Sequence, residues 1–130
     1  MRAATVAFIA LAGVGLAACP APQHVRVFNQ TGERISTHRS WFGIPAGGTA
    51  QLNWTVVYDT VWVRAGRCEA RYNPDFRWRR DDVTRRAYIQ IEPDLTIFVL
   101  PSATRTPLSD EALAALPPQN RIEPLTKVCE

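Results

Sequence analysis

Histidine and cysteine are scarce in this chain, whose 130 residues include only two histidines and three cysteines. Metal sites in proteins usually take three or four such ligands at short, characteristic spacings. His24 and His38 lie far from the cysteines in the sequence, and no ligand spacing connects them. The sequence therefore predicts no metal site and no cofactor of any other kind.

Signatures of catalysis are missing as well. No G-x-S-x-G elbow precedes a predicted helix, and no glycine-rich loop leads into a helix where it could hold a phosphate. His38, the base that a nucleophile would need, fits a solvated loop residue. Glu92 and Asp94 flank Pro93 and fit turn chemistry better than a catalytic carboxylate pair. We therefore predict that the protein is not an enzyme, with a hydrolase of unrecognised site as an alternative.

Long apolar runs are also missing, except for one at the N-terminus. Arg2 gives this segment a positive start, and residues 3–16 are almost wholly apolar. Their length is that of the hydrophobic region of a signal peptide and is too short for a helix that spans a bilayer. The run closes with Leu16-Ala17-Ala18-Cys19, which places a cysteine directly after small residues. This motif resembles the lipobox of bacterial lipoprotein precursors.

The resemblance implies that residues 1–18 are removed as a signal peptide and that Cys19 becomes a lipidated N-terminus. One acyl chain binds a membrane only marginally, whereas two or three, palmitate among them, hold it firmly. A plain secretory signal and a retained N-terminal membrane segment are the alternatives. Residues 19–23 comprise the anchor and a Pro-rich spacer that reaches only about 12 Å from the lipid.

The same resemblance implies a location in the bacterial cell envelope, facing the periplasm and anchored to a membrane by lipid. Residue 20 is proline, whereas lipoproteins retained in the inner membrane carry aspartate there, so the outer membrane is favoured. In this oxidising compartment we expect Cys68 and Cys129 to form a disulfide, with two free thiols as the alternative. A disulfide there closes a loop of about 60 residues and contributes about 4 kcal/mol.

Alternating apolar side chains follow the spacer and predict a series of short strands. The predicted strands are residues 24–29, 33–37, 49–57, 61–64, 76–79, 87–92 and 95–100. The last two form a hairpin around Pro93-Asp94, and residues 95–100 are apolar on both faces, which indicates a covered strand. The pair Trp41-Phe42 and the polar stretch after Cys68 are assigned to loops.

The C-terminal region changes character. Ser109 caps a predicted helix of about two turns that ends at Pro117-Pro118, and residues 120–130 are expected to form an extended tail held by Cys129. We assign residues 24–101 to a β-rich domain and residues 102–130 to a C-terminal extension. The predicted fold is mainly β: a small antiparallel sandwich or open barrel of six to seven strands with one short C-terminal helix.

The net charge of +3 is small, but its distribution is uneven. Arginines concentrate between residues 64 and 86 among several aromatic residues, a combination that suits anionic glycans or lipid headgroups. The candidate ligand-binding residues are Arg77, Arg79 and Arg80, with Trp41 as a second possible contact. The alternative is a solvated face whose arginines pair with nearby acids such as Glu69. Export argues against nucleic acid as a partner.

Two Asn-x-Thr triplets, at Asn29 and Asn53, match the acceptor sequence for N-glycosylation. In a bacterial envelope protein we interpret both as coincidence.

Together these patterns predict a lipid-anchored envelope protein with a non-enzymatic role in binding, scaffolding or assembly. Its expected partners are the membrane, through the anchor, and another envelope protein or an anionic glycan. Binding of an anionic glycan or lipid by the arginine-rich face, and hydrolysis at an unrecognised site, are the alternative functions.

Overall fold

Short β-strands dominate the part of the chain that the structure describes. This computed structural model describes residues 23–38, 40–54, 61–73, 86–101 and 104–130. The strands are β1 (Gln23–Asn29), β2 (Ile35–Thr37), β3 (Ser40–Ile44), β4 (Thr49–Trp54), β5 (Val61–Ala65), β6 (Cys68–Tyr72), β7 (Arg86–Ile91), β8 (Ile97–Val99), β9 (Arg121–Ile122) and β10 (Thr126–Cys129). The α-helix α1 (Asp110–Ala114) lies between β8 and β9 and is followed by a single 3₁₀ turn, Pro118–Asn120.

The strands form two five-stranded sheets that pack as a sandwich. Sheet A has the order β4-β1-β7-β8-β9, and sheet B has the order β10-β6-β5-β2-β3. Neighbouring strands are antiparallel except β1 and β7, which run parallel. The prediction of a mainly β sandwich with one short helix is confirmed, and the described sheets do not close into a barrel.

The parallel pair was not expected, because no βαβ pattern is visible in the sequence. Parallel neighbours need a long crossover, and here the chain between β1 and β7 supplies it by building sheet B. The turn after Asn29 leads to β2, which lies within the predicted strand 33–37. This turn passes the chain to sheet B, where β2 pairs with β3 and β5.

Three regions that the sequence analysis assigned to loops or to a tail contain strands. The pair Trp41-Phe42 lies in β3, and the polar stretch after Cys68 forms β6. In β6 only Ala70 and Tyr72 are buried, so the apolar alternation that marks a strand is too short to recognise. Pairing with β5 and β10 on its two sides supplies the stability that its side chains lack. Residues 120–130, expected as an extended tail, include β9 and β10.

The main hydrophobic core lies between the sheets. Alternation directs Val25 and Val27 of β1, and Ile89 and Ile91 of β7, toward side chains of sheet B. Tyr72 links the layers directly, because its buried hydroxyl donates a hydrogen bond to the carbonyl of Leu95 in sheet A's β7–β8 turn. Burial raises the pKa of Tyr72, so this hydroxyl keeps its proton and remains a donor.

The β7–β8 turn matches its prediction. The amide of Leu95 donates to the carbonyl of Glu92 at 2.8 Å, and Asp94 accepts from the amide of Thr96 at 2.9 Å. Leu95 has a φ of 66°, the one positive value at a non-glycine position in the described residues. Its side chain is only 1% exposed in the core, and this burial holds the residue in a conformation that leucine rarely adopts.

The C-terminal segment contributes a strand to each sheet. β9 pairs with β8 at the edge of sheet A, and β10 pairs with β6 at the edge of sheet B. In the second pair Cys129 lies opposite Cys68, and the two residues form the disulfide that the cysteine count predicts. The cross-link fastens the chain end to sheet B.

Candidate functional site

A second apolar cluster covers the outer face of sheet A, on the side away from the core. Phe28, Tyr88, Phe98 and Leu100 project from the sheet, and Leu113 packs on them as the one buried residue of α1. A five-residue helix is not stable by itself, so this contact is what holds α1 in place. Ser109 assists by accepting a hydrogen bond from the amide of Ala112.

Gln90 fixes the segment that leads into α1. Its side chain is almost wholly buried on the outer face of β7. The side-chain amide donates to the carbonyl of Leu108 at 3.0 Å, and its oxygen accepts from the amide of Leu108 at 2.8 Å. The same amide group donates to Glu92 at 2.6 Å. One polar side chain therefore sets the position of α1 relative to the β7–β8 turn.

A groove of about 600 Å³ opens between α1, the β7–β8 turn and β9, and we call it the α1 groove. This volume lies within the range of ligand-binding clefts. The floor is apolar and is formed by Phe98, Leu113, Leu116, Pro117 and Pro118. The rim at one end carries the carboxylates of Glu92, Asp94 and Asp110.

The acidic end of the groove concentrates negative charge. Burial raises the pKa of Glu92, and the nearby charges of Asp110 and Asp94 raise it further, whereas the hydrogen bond from Gln90 lowers it. Asp94 is held in the turn by its bond to Thr96, and Asp110 lies in the first turn of α1. The three carboxylates thus come from different elements and line the same groove.

The groove lining also includes a cation. The guanidinium of Arg121 lies 5.8 Å from the centre of the Phe98 ring and 3.2 Å from the carboxylate of Glu123. A molecule in the groove therefore meets carboxylates, apolar side chains and an arginine.

Glu92→Gln is expected to stabilise the protein at neutral pH. Because its pKa is raised in the folded state, ionisation of Glu92 opposes folding, and glutamine removes that penalty while still accepting the bond from Gln90. The gain should be present at pH 7 and should disappear as the pH falls below the unfolded pKa of about 4.3, where the wild-type carboxyl is protonated in both states.

The measurement is the difference in melting temperature between the variant and the wild type at a series of pH values. Glu111→Gln is the control, since Glu111 is an exposed carboxylate of α1 that does not line the groove. A gain for Glu92→Gln that is equal at pH 3 and pH 7 would contradict the assignment of the shift to ionisation.

No protein-family model, curated protein or solved structure matches this chain. The described residues contain no helix with the length and hydropathy needed to cross a membrane. They also contain no group of three or more histidine, cysteine, aspartate or glutamate side chains placed to hold a metal ion.

Most of the residues predicted to bind ligand lie in parts of the chain that the structure does not describe. Arg77, Arg79 and Arg80 lie outside the described residues, and so do Cys19 and the predicted strand 76–79. Trp41 lies in β3 rather than in a loop. Its neighbour Phe42 is 94% exposed, so this strand presents at least one large apolar side chain to solvent.

The described arginines of sheet B are exposed and pair with a nearby acid, as the alternative of a solvated face predicts. Arg64 and Arg71 both bond to Glu69, the latter at 3.2 Å, and Arg64 also lies 5.6 Å from the centre of the Trp62 ring. The hydrogen bond from Arg64 is the main reason why the pKa of Glu69 is lowered. A shallow depression of about 480 Å³ adjoins these residues and contains Arg67 and Glu130 as well, so its walls carry both signs of charge.

His38 lies in the turn between β2 and β3, as expected, but it is not solvated as predicted, because both of its ring nitrogens are buried. Its ring centre is 6.4 Å from that of Trp62, and both residues line a pocket with Ser36, Thr37 and Ser40. The pocket measures about 210 Å³, which is smaller than the clefts that usually hold ligands.

Asn29, the first residue of an Asn-x-Thr triplet, has a structural role that the sequence did not predict. It is fully buried, and its amide nitrogen donates to the carbonyls of Glu33, Ile44 and Pro45 at 2.7 to 3.0 Å. Its oxygen accepts from the amide and the hydroxyl of Thr31. The Asn-x-Thr triplet is thus an Asx turn, and this asparagine is inaccessible to a modifying enzyme.

Proposed function

We propose that this protein is a lipid-anchored envelope protein whose β-sandwich binds a partner close to a membrane surface. The observation that carries the proposal is the start of β1 at Gln23, four residues after the lipobox cysteine. Because so short a spacer reaches only about 12 Å, lipidation of Cys19 would hold the sandwich directly beside the membrane.

Two further features support this proposal. The disulfide between Cys68 and Cys129 suits an exported protein. The α1 groove offers a binding surface, with an apolar floor and a charged rim like those of protein interfaces.

The structural roles of the polar groups favour binding over catalysis. Asp94 holds a turn, Glu69 joins two arginines, and Asn29 bonds to three backbone carbonyls. The alternative of an anionic ligand on the arginine-rich face stays a prediction that depends on Arg77, Arg79 and Arg80. The hydrolase alternative also stays a prediction, and the carboxylates of the α1 groove are its strongest candidates.

We expect Cys19→Ala to abolish lipid labelling of the protein. In bacterial cells fed an alkyne-tagged palmitate, the wild-type protein should carry the label and sediment with membranes, because only a thiol at residue 19 can form the thioether. Labelling is read by in-gel fluorescence, and distribution by fractionation.

The matched control is Cys68→Ala combined with Cys129→Ala, which removes two thiols and leaves the lipobox intact. This control should keep its label. Label that persists in Cys19→Ala, or an intact Met1 terminus on the purified wild-type protein by mass spectrometry, would overturn the proposal.

A further inference from the structure

We infer that the α1 groove binds a segment of a partner protein in which a lysine or arginine stands next to an aromatic or aliphatic residue. This inference deepens the proposed binding role by assigning a surface to it and a chemical class to its partner. It rests on the apolar and charged residues that line the groove.

The floor of the groove accounts for the apolar part of the partner. Leu116 is only half-buried against the outer cluster, and Pro117 and Pro118 are exposed beside it. Phe98 and Leu113 lie behind them and are almost wholly buried, so Leu116, Pro117 and Pro118 supply most of the exposed apolar surface of the floor. An aromatic or aliphatic side chain laid on this floor removes apolar surface from water on both partners.

The rim accounts for the basic part. Glu92, Asp94 and Asp110 line the same groove, so their like charges repel one another. No described lysine or arginine forms an ion pair with any of the three. Lys127 donates to the backbone carbonyl of Asp94 at 3.4 Å, and Arg121 pairs with Glu123. A cation from a partner would relieve this repulsion.

Arg121 in the groove lining accounts for the choice of a polypeptide. Its guanidinium lies over Phe98 and pairs with Glu123, and its remaining N–H groups can donate to an acceptor such as a backbone carbonyl. A polypeptide supplies a cationic side chain, an apolar side chain and backbone carbonyls in one segment. A simple polyamine supplies only the first of these.

The position of the groove leaves room for such a partner. β1 and β7 run parallel with His24 opposite Arg86 and Asn29 opposite Ile91, so Glu92 lies at the end of sheet A away from Gln23. Six residues of strand separate the two ends by about 20 Å. An anchor before Gln23 would therefore leave the groove open to a protein that approaches from the aqueous side.

The test uses the full-length protein reconstituted in nanodiscs of zwitterionic lipid and a random dodecapeptide display library as the probe. We expect the enriched peptides to share a lysine or arginine within two positions of an aromatic or aliphatic residue. The most enriched peptide is then labelled with fluorescein, and its affinity for variants of the protein is measured by anisotropy.

The variants are Asp110→Lys and Glu111→Lys, a matched pair in the first turn of α1. Both place a lysine at the helix N-terminus, but only residue 110 lines the groove. We expect Asp110→Lys to weaken binding by at least about tenfold and Glu111→Lys to change it by less than about twofold. Asp110→Asn should weaken peptide binding to an intermediate extent, and it replaces Asp110→Lys in the test if the lysine variant does not fold.

Each other outcome overturns the inference. An empty selection, a consensus of acidic peptides, or equal effects of the two lysine variants would each exclude the groove as a site for basic segments. A dimer in the nanodisc-free protein that Asp110→Lys dissociates would assign the groove to a second copy of this chain. Because peptide binding does not require lipid, such failures would leave the labelling result at Cys19 standing.

Discussion

Replacing Cys68 and Cys129 together with alanine is expected to lower the free energy of unfolding by about 4 kcal/mol. The disulfide joins residues that are 61 positions apart, so its loss restores a long loop to the unfolded chain. In the chain-entropy model the stabilisation grows with the logarithm of the loop length, which places this bond near the upper end of the usual range.

The fold adds a local consequence to this global one. All residues of β10 are exposed, and Val128 retains 64% of its surface, so little apolar burial holds the strand on β6. Without the disulfide we expect the amides of β10 to lose protection from hydrogen exchange before those of β5 and β6 do.

Urea unfolding monitored by circular dichroism measures the global effect, and exchange mass spectrometry measures the local one. Reduction of the wild-type protein should reproduce the loss seen in the variant, which separates the bond from the substituted side chains. A loss below about 1 kcal/mol, with β10 alone exposed to exchange, would mean that the disulfide secures the strand and not the domain.

Asn29→Ala is expected to destabilise the protein by about 3 kcal/mol, because it removes the hydrogen bonds that the buried side chain makes to three backbone carbonyls and to Thr31. The side-chain amide donates to three backbone carbonyls. They belong to Glu33 at the end of the turn, to Ile44 at the end of β3 and to Pro45. It therefore ties β1 of sheet A to the corner through which the chain passes from β3 to β4. No apolar residue of the same size could replace these bonds.

Asn53→Ala is the matched control, since Asn53 belongs to the other Asn-x-Thr triplet and is exposed on β4. Its replacement should change the unfolding free energy by less than about 0.5 kcal/mol. Asn29→Asp offers a second comparison. An aspartate can still accept the hydrogen bonds from Thr31, but it has no N–H group to donate to the backbone carbonyls. Equal effects of the substitutions at residues 29 and 53 would exclude the structural role of Asn29.

The sequence was most informative where local and tertiary signals agree. The hairpin at Pro93-Asp94 was predicted because proline suits the second position of a turn and the flanking residues alternate. Ser109 was predicted to cap α1 because a hydroxyl before two acids is a strong helix start. Both predictions are confirmed, and each depends on residues that are neighbours in the chain.

The predictions that were wrong concern strands without a clear apolar alternation. β6 is held by backbone pairing on both sides, and β3 places Phe42 in solvent where an alternating pattern would place a polar residue. β10 has no buried residue at all and persists through its partner strand and Cys129. Every residue type except proline can form the backbone hydrogen bonds of a sheet, so strands held mainly by these bonds cannot be recognised from their side chains.

What the sequence determined by itself is the β class of the fold, its principal turn, its helix cap and its cysteine pair, because each is encoded by residues close together or by a simple count. What only the tertiary structure decided is which strands share a sheet and which side chains meet. Glu92, Asp94 and Asp110 come together because Gln90 and Leu113 dock α1 on sheet A. Contacts between residues far apart in the chain depend on the packing of whole elements, and no local pattern in the sequence specifies them.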